Sequence, residues 1–307
     1  MPRISGRAFA KVNLGLRILD RRPDGFHELR TVYQTISLAD RIEMAWTPGR
    51  TAKIELRCHP QDLETPDNLV IRAADALLER TGSRGKLQIS LRKRVPQGAG
   101  LGGGSSDAAA ALTGLSRLLS KPPTREMLAE IAAGLGSDVP FFLQGGRAVG
   151  VGRGEEVYPL PEPPKQWLLL LAPQLHSSTP EAYRELAKAR QGSLTPLDKP
   201  RIINVFSSGI GVPGGRVAQS PAGALANDFE GIIFHRFPKL AVLKSRLIKV
   251  GARDSALSGS GSALFGLFAM RQAAEDARDS LGKVEADVFV VSTVTRRTCA
   301  AAWHRSG

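Results

Sequence analysis

Residues able to bind a metal or form a cross-link are scarce in this chain. Its 307 residues include two cysteines, Cys58 and Cys299, and five histidines. Neither cysteine is spaced for a metal site and no His-x-x-x-His pair occurs, so zinc is not expected. A disulfide between two such isolated thiols is not expected in a reducing compartment. His59, His176, His235 and His304 read as surface or packing residues. Aromatic residues make up only 6% of the chain, too little for a base-stacking platform along nucleic acid. Acids are in deficit as well, with 29 Asp and Glu against 42 Lys and Arg, a formal charge of +13. Such a balance alone would suit a nucleic-acid binder. Here the basic residues are dispersed, and the excess suits polyphosphate substrates equally well. The most apolar run, Trp167–Ala172, is too short to span a bilayer and reads as a buried strand. Arg3 and Arg7 precede no apolar leader. The expectation is a cytoplasmic protein with neither nucleic acid nor membrane as partner.

What the chain does have is glycine in one place. Residues 96–106 read Pro96-Gln97-Gly98-Ala99-Gly100-Leu101-Gly102-Gly103-Gly104-Ser105-Ser106. A strand pattern, Lys86–Leu91, precedes them and an alanine-rich helix pattern, Ala108–Leu119, follows, with Ser105, Ser106 or Asp107 as its cap. Glycines let several backbone N–H groups converge on one anion, and a helix N-terminus adds unpaired N–H groups and a positive dipole end. The run therefore reads as a phosphate cradle. No lysine follows the glycines, which excludes the P-loop signature. The letters also satisfy Gly-x-Gly-x-x-Gly. However, Arg92-Lys93-Arg94 and Pro96 separate the run from its strand, and Thr124–Leu135 reads as helix where a second strand would be needed. A dinucleotide-binding dehydrogenase is the runner-up.

The pattern Pro-x-x-x-Gly-Leu-Gly-Gly-Gly-Ser-Ser-Asp resembles the ATP-binding motif of the GHMP kinases. Further segments strengthen the resemblance: Ala10-Lys11-Val12-Asn13-Leu14, Asp24-Gly25-Phe26-His27-Glu28, Gly136-Ser137-Asp138-Val139-Pro140 and Leu257-Ser258-Gly259-Ser260-Gly261. The resemblance covers most of the chain and is weakest over 193–223. It implies an α+β, two-lobe fold. The ATP-binding lobe would span 1–158, with about 293–307 packing back on it, and the substrate lobe 159–292. It implies ATP-dependent phosphorylation of a small alcohol with Mg2+, by a monomer or weak homodimer. The set of segments favours a cytidine diphosphate-linked methylerythritol as acceptor; a homoserine or mevalonate type is the alternative.

Several residues could carry that chemistry. Phosphoryl transfer needs positioning, charge compensation and a group to take the hydroxyl proton. From local sequence alone Asp138 reads as a turn or N-cap residue; the resemblance implies the catalytic base. Lys11, isolated in an apolar strand, is either an edge lysine or paired, and pairing with Asp138 is expected. Asn13 shares a strand face with Lys11 and can bind substrate. Phe26 is expected to stack on a cytosine ring, although some relatives have tyrosine here, and His27 to hydrogen-bond it. Tyr183 is expected to supply the opposite stacking face and Thr179 a substrate contact. ATP is expected at Pro96, Gly98, Ala99, Gly100, Leu101, Gly102, Gly103, Gly104, Ser105 and Ser106, with Asn68 and the Lys93 neighbourhood by the adenine. Ser106 resembles a Mg2+ ligand, although no partner glutamate can be placed. The remaining pattern predicts strands at Arg7–Ile18, Thr31–Ser37, Ile42–Trp46 and Lys53–Arg57. It also predicts a helix at Asn68–Arg80 capped by Asp67, a hinge at Pro159–Pro164 and a mobile loop at 207–224.

Overall fold

The computed structural model describes residues 2–175, 177–190 and 225–306. The expected loop at 207–224 lies outside these residues, as does His176. Two sheets organise the chain. The first has eight strands in the order β12-β1-β2-β4-β3, with β5 and β8 (Ala226–Asn227) added beside β2 and β1 and β6 beside β5. Its spine is a long antiparallel pair, β1 (Arg3–Arg21) and β2 (His27–Pro48). β3 (Lys53–His59) and β4 (Gly85–Arg92) extend it on one side, and β12 (Trp303–Ser306) returns from the C-terminus to pair with β1 on the other. β5 (Arg147–Val151) and β6 (Glu156–Pro159) form a hairpin in the glycine-rich stretch before the expected hinge, where sequence showed no strand. This mostly antiparallel sheet is not the parallel, doubly wound sheet a dinucleotide fold requires.

Helices α1 (Leu69–Thr81), α2 (Gly103–Leu118) and α3 (Arg125–Leu135) cover one face of that sheet, and Val70, Leu77, Ala111 and Leu115 fill the core between. Asn68, not Asp67, caps α1: its side chain accepts from the Val70 N–H. The second sheet has the order β11-β7-β10-β9, with β7 at Trp167–Ala172, β9 at Ser255–Leu257, β10 at Leu264–Phe268 and β11 at Asp287–Ser292. The continuous apolar run of β7 follows from burial on both faces. Leu169 and Leu171 pack with Ile233 of α6 (Glu230–Arg236) and against helices α7 (Pro238–Lys249) and α8 (Arg271–Ser280), whereas Leu168 and Leu170 join a core with Ala10, Val12 and Ile36 of the first sheet. That shared core brings β1, the glycine run and the β9–β10 turn together, and the candidate site lies along this junction.

Candidate active site

A cavity of about 1190 Å3 opens here, with Lys11, Asn13, Gly98–Ser105 and Asp138 on its wall together with Phe26, His27 and Tyr183. α2 begins earlier than its sequence pattern suggests. Gly102 is its N-cap, no side chain caps it, and Gly103, Gly104 and Ser105 form its first turn. The sequence pattern misses this start because glycine is a poor helix former, while here the helix is held by its packing. The first orphan N–H groups of the helix therefore belong to the glycine run itself, the arrangement that binds phosphate. The run is tied to β1 by the Lys11 N–H, which donates to the Leu101 carbonyl (3.0 Å).

Lys11 is buried, at 3% exposure, with Thr35 of β2 across from it on one side and the Leu101 carbonyl of the glycine run bonded on the other, so it is not a solvated edge lysine. Its Nζ donates to Asn13 Oδ1 (2.6 Å) and stands 3.4 Å from Asp138 Oδ2. Asn13 Nδ2 donates to Thr31 Oγ1, whose hydroxyl donates to the Gly15 carbonyl, fixing the amide. Asp138 precedes the short helix α4 (Val139–Gln144), yet its side chain caps nothing. Its carboxylate turns to Lys11 and to Tyr33, whose hydroxyl donates to Oδ1 (2.9 Å). Burial, then the Asp138 charge, holds the Tyr33 phenol well above its ordinary value, so it stays a donor. Sequence reasoning missed Tyr33. The available signal was register: it is one of three tyrosines and lies directly across from Asn13 on β2.

The remaining expected residues divide. His27 and Tyr183 stack on each other, with ring centroids 5.5 Å apart and 15° between planes, and His27 Nδ1 is buried without a partner. Burial, then Asp138, pushes the Tyr183 phenol up to about 12. Tyr183 thus faces His27 instead of standing opposite Phe26, which is 52% exposed at the cavity mouth. Thr179 starts helix α5 (Thr179–Arg190), and its hydroxyl meets that of Ser260 (2.7 Å). Asn68, Pro96, Gly98 and Ala99 line the cavity. Ser106 does not: it is buried and donates to the Phe9 carbonyl (2.7 Å), so of the two adjacent serines it is Ser105 that lines the wall. Among the described residues no group of three His, Cys, Asp or Glu is placed to hold a metal, and no helix is long and apolar enough to cross a membrane.

Beneath the glycine run lies a buried ionic cluster. Lys93 Nζ donates to Asp107 Oδ2 (2.5 Å) and to Asp40 Oδ2, and Asp40 Oδ1 also accepts from the Arg94 and Val95 N–H groups. One ammonium cannot balance two buried carboxylates. Burial first, and the Asp40 charge in addition, push Asp107 from 3.8 up to about 8, while Lys93 works in the other direction. Below pH 3.8 both folded and unfolded chains hold this proton. Between 3.8 and about 8 the folded protein keeps a proton that the unfolded chain releases, so rising pH favours unfolding. Thermal melting should accordingly fall as pH is raised through that window, and Asp107→Asn should flatten the slope. An identical slope in the variant would refute the assignment.

Comparison with known proteins places this geometry. The family description "GHMP kinases N terminal domain" matches residues 68–146 and "GHMP kinases C terminal" matches 221–287. A 4-diphosphocytidyl-2-C-methyl-D-erythritol kinase from Solibacter usitatus is 47% identical over 98% of this chain and 92% of its own length. The chain belongs to the GHMP kinase family. A crystal structure of a 4-(cytidine 5'-diphospho)-2C-methyl-D-erythritol kinase superposes on this GHMP kinase with a TM-score of 0.76. The two are 35% identical, over 94% of this chain and 98% of that one. A homoserine kinase from Cytophaga hutchinsonii, 17% identical with a TM-score of 0.71 over 99% and 97% of the two chains, shares the fold. The two-lobe α+β fold is that of the family, and the activity is that of an ATP-dependent small-molecule kinase.

Proposed function

We propose that the protein phosphorylates the 2-hydroxyl of 4-diphosphocytidyl-2-C-methyl-D-erythritol with ATP, a step toward isoprenoid precursors. The observation that carries this reading is the 47% identity across nearly the whole chain to a kinase of that name. Residues 1–158 with 293–307 are assigned to the ATP-binding lobe and 159–292 to the substrate lobe. The N–H groups of Gly103, Gly104 and Ser105 and the loop before them would hold the ATP phosphates. The substrate hydroxyl would then attack the γ-phosphorus as its bond to the ADP oxygen breaks. Asp138 takes the hydroxyl proton, and Lys11 compensates charge at the reacting oxygens. Asn13, held by Thr31, orients the alcohol, while His27, Tyr183 and Phe26 would receive the cytosine.

The fit to Mg2+ rests on few protein oxygens. Ser105 and Asp138 are on the cavity wall, and among the described residues no group of three His, Cys, Asp or Glu gathers to hold a metal, which suits an ion that keeps its waters and is carried on substrate phosphates. When bound, Mg2+ would supply further charge neutralisation there. A coupled ADP-release assay should show turnover on the cytidyl alcohol and none on homoserine or mevalonate. The opposite pattern would sink the assignment. ATP-independent, salt-sensitive DNA binding would favour the basic nucleic-acid binder instead.

A further inference from the structure

Four cations on the cavity wall have no part in the machinery described above: Arg21, Arg153, Arg184 and Lys188. Of the other two, Lys11 is matched by Asp138 and Lys93 by Asp40 and Asp107, and among the four Arg153 has a carboxylate partner, Glu155, through its Nε. Arg22, next to Arg21, shows what a spent arginine looks like here: it pairs with Asp24 (3.2 Å) and Glu28 (3.0 Å) and is not on the wall. Among the described residues Arg21 donates only to the Gly25 carbonyl (3.3 Å). Arg184 and Lys188, one turn apart on the helix that carries Tyr183, have no carboxylate partner among the described residues.

Arg153 is the best organised of the four. Its backbone N–H and its Nε donate to the two carboxylate oxygens of Glu155 (2.7 and 3.0 Å), and its guanidinium stands 4.9 Å from the Phe26 ring centroid. Both contacts fix the plane of the group and leave its two terminal amino groups with no partner among the described residues. A guanidinium oriented in advance offers a fork that matches two phosphate oxygens and loses little freedom on binding. Loosely held surface cations would contribute much less.

We infer that Arg153, supported by Arg21, Arg184 and Lys188, grips the diphosphate linking cytidine to the alcohol. In this way it makes the enzyme selective for nucleotide-linked alcohols. The inference rests on the acceptor proposed above, since these four cations line the same cavity as Phe26, His27, Tyr183 and Asp138, and Arg153 lies beside Phe26. The glycine run serves the other polyphosphate through backbone N–H groups and needs none of these side chains.

The test compares wild type with Arg153→Gln, Arg153→Lys and the double variant Arg184→Gln/Lys188→Gln. It measures KM and kcat for both substrates and competitive inhibition by cytidine and by CDP. Arg153→Gln should raise KM for the cytidyl alcohol and weaken CDP by about tenfold or more. Inhibition by cytidine and the KM for ATP should hold within about twofold, and kcat should change much less than KM. Arg153→Lys should recover part of the loss, and the double variant should show a smaller loss of the same kind. Equal weakening of cytidine and CDP would overturn the inference, because Arg153 would then act on the base through Phe26. A shift confined to ATP, or no shift, would overturn it too. Absence of wild-type turnover on the cytidyl alcohol would instead sink the acceptor assignment itself.

Discussion

Asp138→Asn should lower kcat by about a thousandfold, within the range that general-base catalysis contributes, with ATP affinity held within about twofold. The carboxylate is 3.4 Å from Lys11 Nζ and accepts from Tyr33, while none of its bonds reaches the glycine run. An amide of the same shape keeps the packing and a Tyr33 contact but cannot take the hydroxyl proton. Lys11→Met should cost a similar factor, because it removes the cation beside the reacting oxygens. It should also loosen Asn13, which loses its 2.6 Å donor. The two losses should be strongly non-additive, since each residue acts through the other. Single-turnover kinetics with a separate measurement of nucleotide binding would decide this. Asp138→Asn turnover within tenfold of wild type would remove Asp138 from the base role.

The second large effect concerns the glycine turns. Gly261→Ala should raise KM for ATP by tenfold or more and destabilise the fold by about 1–3 kcal/mol, the usual scale of overpacking a filled space. A Cβ on Gly261 would be driven into the backbone of Ala99 and Gly100, and one on Gly100, at φ +84, into the Ser258 carbonyl. The two turns are also bonded to each other. Ser258 Oγ donates to the Gly100 carbonyl (3.0 Å) and the Ala263 N–H to the Ala99 carbonyl (3.0 Å). Pushing one turn therefore moves the other, and the N–H groups proposed to hold the ATP phosphates move with it. Gly134→Ala is the control, since its added Cβ meets nothing within 4 Å inside α3, and it should be neutral or stabilising. Urea unfolding and ATP titration of both variants would test the contrast. A Gly261→Ala protein with normal ATP binding would show that the turns are not coupled.

The parts legible in the sequence are those set by short-range rules. Periodicity placed α1, α3 and β7 within a residue or two, because each repeats one apolar face over several turns or is wholly apolar. The glycine run could be read as a phosphate cradle because glycine, strand and helix follow one another directly along the chain. The capping of α1 was assigned one residue early, since Asp67 and Asn68 are both good caps and only the backbone chooses between them. The β5–β6 hairpin was missed because its glycines and charges resemble a loop, and its pairing energy comes from β2, more than a hundred residues away in the chain.

Lys11, Asn13 and Asp138 were identifiable as candidates, but their sequence alone left Asp138 a turn residue and Lys11 a possible edge lysine. What decides for each is distance across the fold, since a carboxylate matters to a lysine only within a few ångströms. The same holds for Tyr33 on Asp138, for His27 facing Tyr183, and for Lys93 between two aspartates. Ser106 shows the converse: adjacent to Ser105 in the motif, it is rotated by one helical residue toward β1 and away from the cavity. The sequence by itself determined that a glycine run suited to phosphate leads into a helix and which residue types accompany it. Only tertiary packing decided which of them share one site, because long-range contacts leave no periodic trace in a single chain.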